Sequence, residues 1–364
     1  MTEPKEILSH FCMEGEVTDV KPLGNGLIND TFLAKTASDD TPDYVLQRIN
    51  TNVFTDVELL QHNIGIVTSH IRKKLKEAGE DDIDRKVLRF IASTDGPSYW
   101  KDAEGNHWRV SVFIPNAHTY EAVTPEYSRF AGQAFGKFES MLADLPEGTL
   151  GETIPDFHNL SLRYRQLHDS MAADKAGRTA GVAGFIAEIE KYYEEMNLAD
   201  VLYEKGLLPK RICHCDTKVN NMMFDDEGRV LCVIDLDTTM PGFVFSDYGD
   251  FLRSAANAVA EDEADLSKVA FRMDIFKAFT EGYLQGAGSF LTPVEIEHLP
   301  YAAALFPYMQ CVRFLTDYLN GDVYWKCAYP THNLVRAQNQ WQLFLSVLSH
   351  KEEMAEYIKT ACGK

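Results

Sequence analysis

The sequence predicts an α+β chain, with an antiparallel sheet and one long helix in residues 1–115 and a mainly helical remainder over 116–364. Three observations lead there. Short apolar runs separated by Gly, Asn and Asp turns dominate the first part, the pattern of paired strands. Apolar residues at three- and four-residue steps dominate the second. Within residues 212–250, two short apolar runs flank the acidic turn Asp225-Asp226-Glu227-Gly228 and read as a β-hairpin.

Taken in order, residues 5–14 read as a short helix, and strands follow at 17–23, 28–34 and 44–49. Gly24-Asn25-Gly26 joins the first two. Glycine allows close backbone approach, so this turn can lay N–H groups over phosphates, although a plain hairpin turn uses the same residues. It is neither a Walker A loop, which needs Gly-Lys-Ser/Thr, nor a dinucleotide fingerprint, which needs a third Gly before a helix. Residues 56–78 read as a helix with Val57, Leu60, Ile64, Val67, Ile71 and Leu75 on one face, Asp56 as N-cap, and Glu58 either as a functional acid of this helix or, the reading favoured, as an exposed first-turn residue. Further strands are expected at 87–92, 99–100 and 108–113. Pro115-Asn116 ends them, and the boundary is placed near 114–120. Helices are expected at 125–144, 159–173, 183–204, 264–286, 293–319 and 332–361.

The totals narrow the function. The 35 Lys+Arg stand against 55 Asp+Glu, a net charge of −20, which argues against nucleic acid and anionic membrane as partners. Seven Cys without regular spacing suit reduced thiols in a cytoplasm rather than a disulfide framework. The N-terminal residues contain acids and no long apolar core, so no signal peptide is expected. No run approaches 18 apolar residues. A cytoplasmic monomer or weak oligomer is expected.

The chemistry concentrates in the hairpin region. His214-Cys215-Asp216 precedes Asn220-Asn221, and the second apolar run ends on Asp235. A hairpin places Asn221 near Asp235, with Asp216 in the loop just ahead. Asp and Asn oxygens suit Mg²⁺ on phosphates, and a further Asp suits the proton of an attacking hydroxyl. The spacing His-x-Asp-x4-Asn matches the catalytic loop of protein-kinase-like folds. The alternatives are ordinary acidic turn residues, or a hydrolase metal site, for which no second His-rich motif is present. On the kinase-like reading, the backbone just before the boundary would be the hinge that meets a nucleobase. The third strand should then offer a Lys to the phosphates, but it reads Tyr44-Val45-Leu46-Gln47-Arg48-Ile49. Either Gln47 or Arg48 holds that position, since strand alternation lets only one face the cleft. Asp247 and Asp250 either cap the next helix or brace the loop through its N–H groups. Arg313, Asp317, Tyr324 and Trp325 beside a Gly turn suit a sugar, or else form an Arg–Asp surface pair over packed aromatics.

These residues resemble a known family, the bacterial N-acetylhexosamine 1-kinases within the aminoglycoside-phosphotransferase and choline-kinase-like superfamily. The resemblance runs nearly end to end. It rests on Gly24-x-Gly26-x-Ile28-Asn29, Tyr44-x-Leu46-Gln47, His214-x-Asp216-Thr217-Lys218-x-Asn220-Asn221, Ile234-Asp235-Leu236-Asp237-Thr238-x-Met240-Pro241-Gly242, Asp247-x-Gly249-Asp250, and Arg313-Phe314-Leu315-x-Asp317-Tyr318-Leu319-x-Gly321-Asp322-x-Tyr324. It implies a two-lobe protein-kinase-like fold that uses ATP and Mg²⁺ to phosphorylate the anomeric hydroxyl of GlcNAc or GalNAc. By matching position it makes Asp216 the catalytic base, Asn221 and Asp235 the metal ligands, and Arg313 and Tyr324 the sugar contacts. The family strand also carries the Gln at 47. A family His that contacts the sugar is replaced here by Leu27, which donates no hydrogen bond and leaves the preferred sugar open. Two rival readings are a kinase of another small alcohol, such as choline or an aminoglycoside, and a pseudokinase that binds nucleotide without chemistry.

Overall fold

The computed structural model describes residues 3–24 and 28–363. The chain divides into two compact units: Met1–Tyr120 with Asp144–Pro155 and Asn220–Met240, and Glu121–Ala143 with Asp156–Val219 and Pro241–Lys364.

The first unit opens with α1 (Pro4–Leu8), then β1 (Val17–Pro22), β2 (Asp30–Thr36), β3 (Tyr44–Ile49), α2 (Val57–Glu77), α3 (Ile83–Lys86), β4 (Phe90–Ile91), β5 (Trp100–Lys101) and β6 (His107–Val112). Every pairing in the sheet is antiparallel, in the order β1-β2-β3-β6-β4, with β5 also on β6. Alternation assigns the two faces. Tyr44, Leu46, Trp108, Val110 and Ala34 pack with Ile7, Leu8 and Phe11 into one core. Thr31, Gln47 and Arg109, which are register partners across β2, β3 and β6, stand on the other face. Asp56 caps α2 by accepting the Leu59 N–H at 2.9 Å, and Glu58 is exposed, as its first-turn position predicts.

Two later segments join this unit through buried polar partners. The Asn63 amide on α2, itself fully buried, donates to Gly151 O at 2.8 Å and to Thr239 O at 3.0 Å. His118 and Phe224 exchange both backbone hydrogen bonds at 2.8 Å. The division therefore does not follow the single expected cut between 115 and 116. The first unit extends to Tyr120 and includes the hairpin strands Met222–Phe224 and Val230–Val233.

The second unit is helical apart from short segments such as the strand Arg211–Cys213. Its helices are α4 (Pro125–Leu142), α5 (Leu160–Ala173), α6 (Thr179–Glu190), α7 (Tyr193–Met196), α8 (Leu198–Glu204), α9 (Val244–Ala255), α10 (Met273–Ala287), α11 (Pro293–Glu297), α12 (Leu299–Leu319), α13 (His332–Ser349) and α14 (Lys351–Ala361). The α+β class is as the sequence predicts, but three long helices are broken. The one expected at 183–204 is three pieces, because tyrosines of α12 satisfy backbone groups at the breaks. Tyr308 donates to Ile189 O at 3.0 Å, while Tyr301 donates to Met196 O at 2.6 Å and accepts from Ala199 N at 3.1 Å. The helix expected at 293–319 is interrupted at His298, and the one at 332–361 at His350. Residues 264–286 are helical in the α sense only from Met273. No helix of the described residues is long and apolar enough to cross a membrane.

Glycines let α4 and α10 touch through their backbones. A Cβ on Gly132 or Gly282 would overlap Phe279 O or Arg129 O, and one on Gly136 would lie 2.7 Å from Tyr283 O. Gly184 in α6 has nothing within 4 Å of such a Cβ. Gly282→Ala should therefore destabilise by about 1–3 kcal/mol through overpacking. Gly184→Ala should stabilise by roughly 0.4–1 kcal/mol through its effect on the unfolded chain. Urea unfolding of the two variants checks the contrast.

Candidate functional site

In the second unit, the strand Arg211–Cys213 delivers the chain into residues 214–218, and α9 fixes their backbone. Asp247 accepts the His214 N–H on Oδ2 and the Cys215 N–H on Oδ1, both at 2.7 Å, and its carbonyl accepts the Thr217 hydroxyl at 2.7 Å. Asp247 and His214 are fully buried, and the His214 ring meets Phe135 and Phe138 edge-on at 5.3 and 5.8 Å. Cys215 adopts a left-handed conformation (φ 63°), unfavourable for a non-glycine residue. Charge-assisted bonds from its own and the preceding N–H hold it there. Asp216 follows, its N–H donating to His214 Nδ1 at 3.3 Å, and its carboxylate lies 2.8 Å from Lys218 Nζ. Of the two carboxylates expected to cap a helix or brace this loop, Asp247 braces it from within α9. Asp250 instead pairs with Arg253 at 3.1 Å. Burial pushes the Asp250 carboxyl up from its ordinary pKa, Arg253 opposes the rise, and the negative charge of Asp216 adds to it.

The Arg313 guanidinium on α12 is half-buried, 5.3 Å from the Trp325 ring and 5.7 Å from that of Phe157. Its Nη1 donates to Gln310 Oε1 at 3.1 Å, and among the described residues no carboxylate pairs with it. Burial lowers its pKa to about 10 with help from Arg163, while Tyr324 and Asp250 act in the opposite direction. Arg313, Tyr324 and Asp250 are thus within electrostatic reach of one another, and Asp250 in turn feels Asp216. Burial, reinforced by Arg313, Arg163 and Arg253, also holds the His158 ring well below its usual pKa. Tyr324 is 67% exposed and stands edge-on to Trp325 at 4.5 Å. Asp317 is not the partner of Arg313. Its carboxylate gathers the loop, accepting N–H groups of Val323, Tyr324 and Trp325 at 3.0, 2.9 and 3.1 Å and the Asn333 amide at 2.8 Å.

In the first unit the hairpin forms as predicted. Met222 pairs with Val233, and Ile234 N donates to Asn221 O at 2.9 Å, so Asn221 and Asp235 stand at the same open end. Their amide and carboxylate oxygens are hard donors of the type Mg²⁺ takes. Asp235 is left-handed (φ 60°), which turns the chain sharply into the 3₁₀ segment Leu236–Thr238. Asp237 in that segment is a buried hub. Arg109 reaches it bidentately at 2.5 and 3.0 Å, and Asn29 Nδ2 donates to it at 2.7 Å. Gln47 Oε1 accepts from Arg109 Nε at 2.9 Å, while Gln47 Nε2 donates to Thr31 at 3.2 Å. Arg48 lies on the opposite face, partly exposed and paired with Asp30. Of the two candidates on β3, Gln47 therefore shares the face of Asp237, two residues beyond Asp235. Gly24 is left-handed (φ 68°). Asn25 and Gly26, with Leu27, lie outside the described residues.

Sequence reasoning assigned no role to Lys218, Arg109 or Asp237. Lys218 is signalled by lying two residues after Asp216, and Asp237 by the second acid of the 235–237 string. Arg109 carries no local signal, because only strand register brings it beside Gln47.

The model of the phosphotransferase enzyme family matches residues 19–292. Among solved structures, an aminoglycoside phosphotransferase from Alicyclobacillus acidocaldarius has a TM-score of 0.61 at 12% identity, covering 97% of each chain. A microcompartment-associated aminopropanol kinase has a TM-score of 0.60 at 15% identity, covering 96% of this chain and 97% of its own. An amicoumacin kinase in complex with AMP-PNP and Ca²⁺ has a TM-score of 0.57 at 13% identity, covering 93% and 91%. At these identities the likeness is one of fold.

The two ion pairs around β3 should differ sharply in worth. Arg109→Met leaves a buried carboxylate without its cation and should cost about 3–5 kcal/mol. Arg48→Ala removes a solvated pair and should cost about 0–1 kcal/mol. Parallel urea denaturation curves read the difference.

Proposed function

Because the chain belongs to the phosphotransferase enzyme family, we propose that it transfers the γ-phosphoryl group of ATP to the anomeric hydroxyl of an N-acetylhexosamine, GlcNAc or GalNAc. The observation that carries the phosphotransfer reading is the braced loop 214–218. The buried Asp247 carboxylate holds its backbone at two N–H groups, the Asp247 carbonyl takes the Thr217 hydroxyl, and Asp216 emerges from the loop beside Lys218. Asp216 is the base in this reading: it orients the acceptor hydroxyl and takes its proton as the phosphoryl group transfers. Lys218, 2.8 Å away, favours the ionised form that a base requires.

Asn221 and Asp235 would hold Mg²⁺, whose chemistry is to offset the charge of the ATP phosphates. Gln47 would supply a neutral amide toward the phosphates. Arg48 has its own partner in Asp30 and is set aside. Most of the acceleration comes from positioning and fixed charge.

The sugar reading is supported by Arg313 and Tyr324. A guanidinium flanked by two aromatic rings, without a carboxylate partner, offers donors to hydroxyls, and the rings offer faces to C–H surfaces. A kinase of another alcohol is the second reading, since the structural neighbours include an aminoglycoside phosphotransferase and an aminopropanol kinase. The cations Arg313 and Arg163 disfavour an acceptor that is itself cationic.

An ADP-release assay with Mg²⁺-ATP against GlcNAc, GalNAc, glucose, galactose, N-acetylmuramate, choline and kanamycin tests the proposal. Turnover of an N-acetylhexosamine to its 1-phosphate, located by NMR, is expected. Turnover of a different acceptor alone would discard the sugar, and ATP binding without turnover of any acceptor would point to a pseudokinase. Asp216→Asn should lower kcat by about 10²–10⁴ while calorimetric ATP affinity stays within a few-fold of wild type. Wild-type kcat in that variant would remove Asp216 as base.

A further inference from the structure

Two buried carboxyl groups meet behind the loop that carries Asp216. Glu139 on α4 is 2% exposed and Asp247 on α9 is 0% exposed. Ligand atoms of Glu139, Asp247 and Cys213 all lie within 4.8 Å of one another. The glycine-mediated contact of α4 with α10 brings Tyr283 to the same point, where its hydroxyl donates to Glu139 Oε2 at 2.6 Å. No cation pairs with either carboxyl among the described residues. Arg211, the nearby arginine, is bidentate to Glu295 at 3.0 Å on both arms.

The hydrogen bonds decide which group is charged. Each Asp247 oxygen accepts a backbone N–H, an arrangement that favours the carboxylate. Glu139 Oε2 accepts from Tyr283, but among the described residues Glu139 Oε1 has no donor. A bare carboxylate oxygen, buried beside a second carboxylate, is the costliest form available. A proton on Oε1 removes that cost, because the oxygen then donates toward Asp247. A metal ion fits less well. Both Asp247 oxygens and one Glu139 oxygen already accept hydrogen bonds, and the Cys213 thiol is directed at Phe243 O, 3.2 Å away.

We propose that Glu139 is a positioning residue of the phosphotransfer site: it stays protonated, donates to Asp247, and so fixes the carboxylate that holds the backbone around Asp216. The proposal rests on the reading of Asp216 as the base. Burial first, and then the charge of Asp247, hold Glu139 well above its ordinary pKa, with Tyr283 opposing and Glu295 adding to the rise. Burial also raises Asp247, but there His214 and the two N–H bonds pull against it. Tyr283 and Cys213, the other titratable groups at the pair, are both pushed up by burial and stay neutral.

The sign of the linkage follows. Glu139 is protonated in the folded chain and ionised in the unfolded chain above its ordinary value of 4.5, so unfolding releases a proton. Wild-type stability should therefore fall relative to Glu139→Gln as pH rises from about 5 toward the folded pKa. The ratio of their unfolding constants should change by up to about tenfold per pH unit. Urea unfolding of both proteins at pH 5, 6, 7 and 8 reads this without any substrate. A pH-independent ratio would overturn the shared proton, as would a metal that co-purifies with wild type and is lost in Glu139→Gln.

Activity tests the positioning role. Glu139→Gln, which keeps a donor, should retain kcat near wild type, whereas Glu139→Ala should lose about tenfold or more in kcat with little change in KM for ATP. Equal kcat in the Ala variant would overturn the role while leaving the phosphotransfer reading intact. Failure of that reading would show separately, as no turnover by the wild type with any acceptor.

Discussion

Asp247 has no contact with solvent, yet it directs both oxygens at the backbone N–H groups of His214 and Cys215, and that pattern decides where Asp216 stands. Burying a carboxylate is costly unless its lone pairs are filled. Here they are filled by the loop itself, so the charge is tolerable only while the loop keeps its shape. Left-handed Cys215 and the 2.7 Å bond from Thr217 to the Asp247 carbonyl belong to the same arrangement. A free loop would have no reason to place a non-glycine residue at φ 63°.

The first unit solves the same problem by other means. Asp237 is as buried as Asp247, but its charge is met by a cation, the Arg109 fork, with the Asn29 amide completing the set. That ion pair ties the 3₁₀ turn after Asp235 to the face of β6, beside Gln47. Kinase-like sheets are expected to offer a Lys from the third strand, and here the cation comes from the next strand and is neutralised in place. Gln47, bonded to Arg109 Nε, is left as an uncharged group whose geometry is nevertheless fixed. The cation on this face of the sheet therefore stands on β6 and is paired with Asp237, rather than standing on β3.

Much of this was legible from local pattern. Strand alternation, the Asp/Gly turn and the His-x-Asp-x4-Asn spacing lead to the sheet, the hairpin and the pairing of Asn221 with Asp235 at one end, because each depends on neighbours in sequence. What escaped depends on neighbours in space. Apolar periodicity runs unbroken through 183–204, and nothing local reports that hydroxyls of Tyr301 and Tyr308, over 100 residues away, will satisfy backbone at the breaks. Asp317 reads as a partner for Arg313 in sequence, whereas the tight turn through left-handed Asp322 brings three backbone N–H groups to it first. Glu139 drew no reading from the sequence, and the contacts of α4 with α10 are what close its side chain to water.

With Asp317 engaged by the loop, Arg313 faces the aromatic rings, and among the described residues no carboxylate pairs with it directly. Its pKa, lowered to about 10, still leaves the guanidinium charged near neutral pH. Burial first, and then Arg313, Arg163 and Arg253, hold the His158 ring well below its usual pKa. Arg313 and Arg163 thus both lie within electrostatic reach of the exposed Tyr324, with Asp250 also acting on Arg313 and Asp156 on Arg163. Guanidinium donors of this kind suit hydroxyl and carbonyl oxygens, which accept hydrogen bonds. The orientation of Arg313 is set by Phe157, Trp325 and Gln310 rather than by a carboxylate among the described residues. Rings and an amide hold a guanidinium less rigidly than a bidentate acid does.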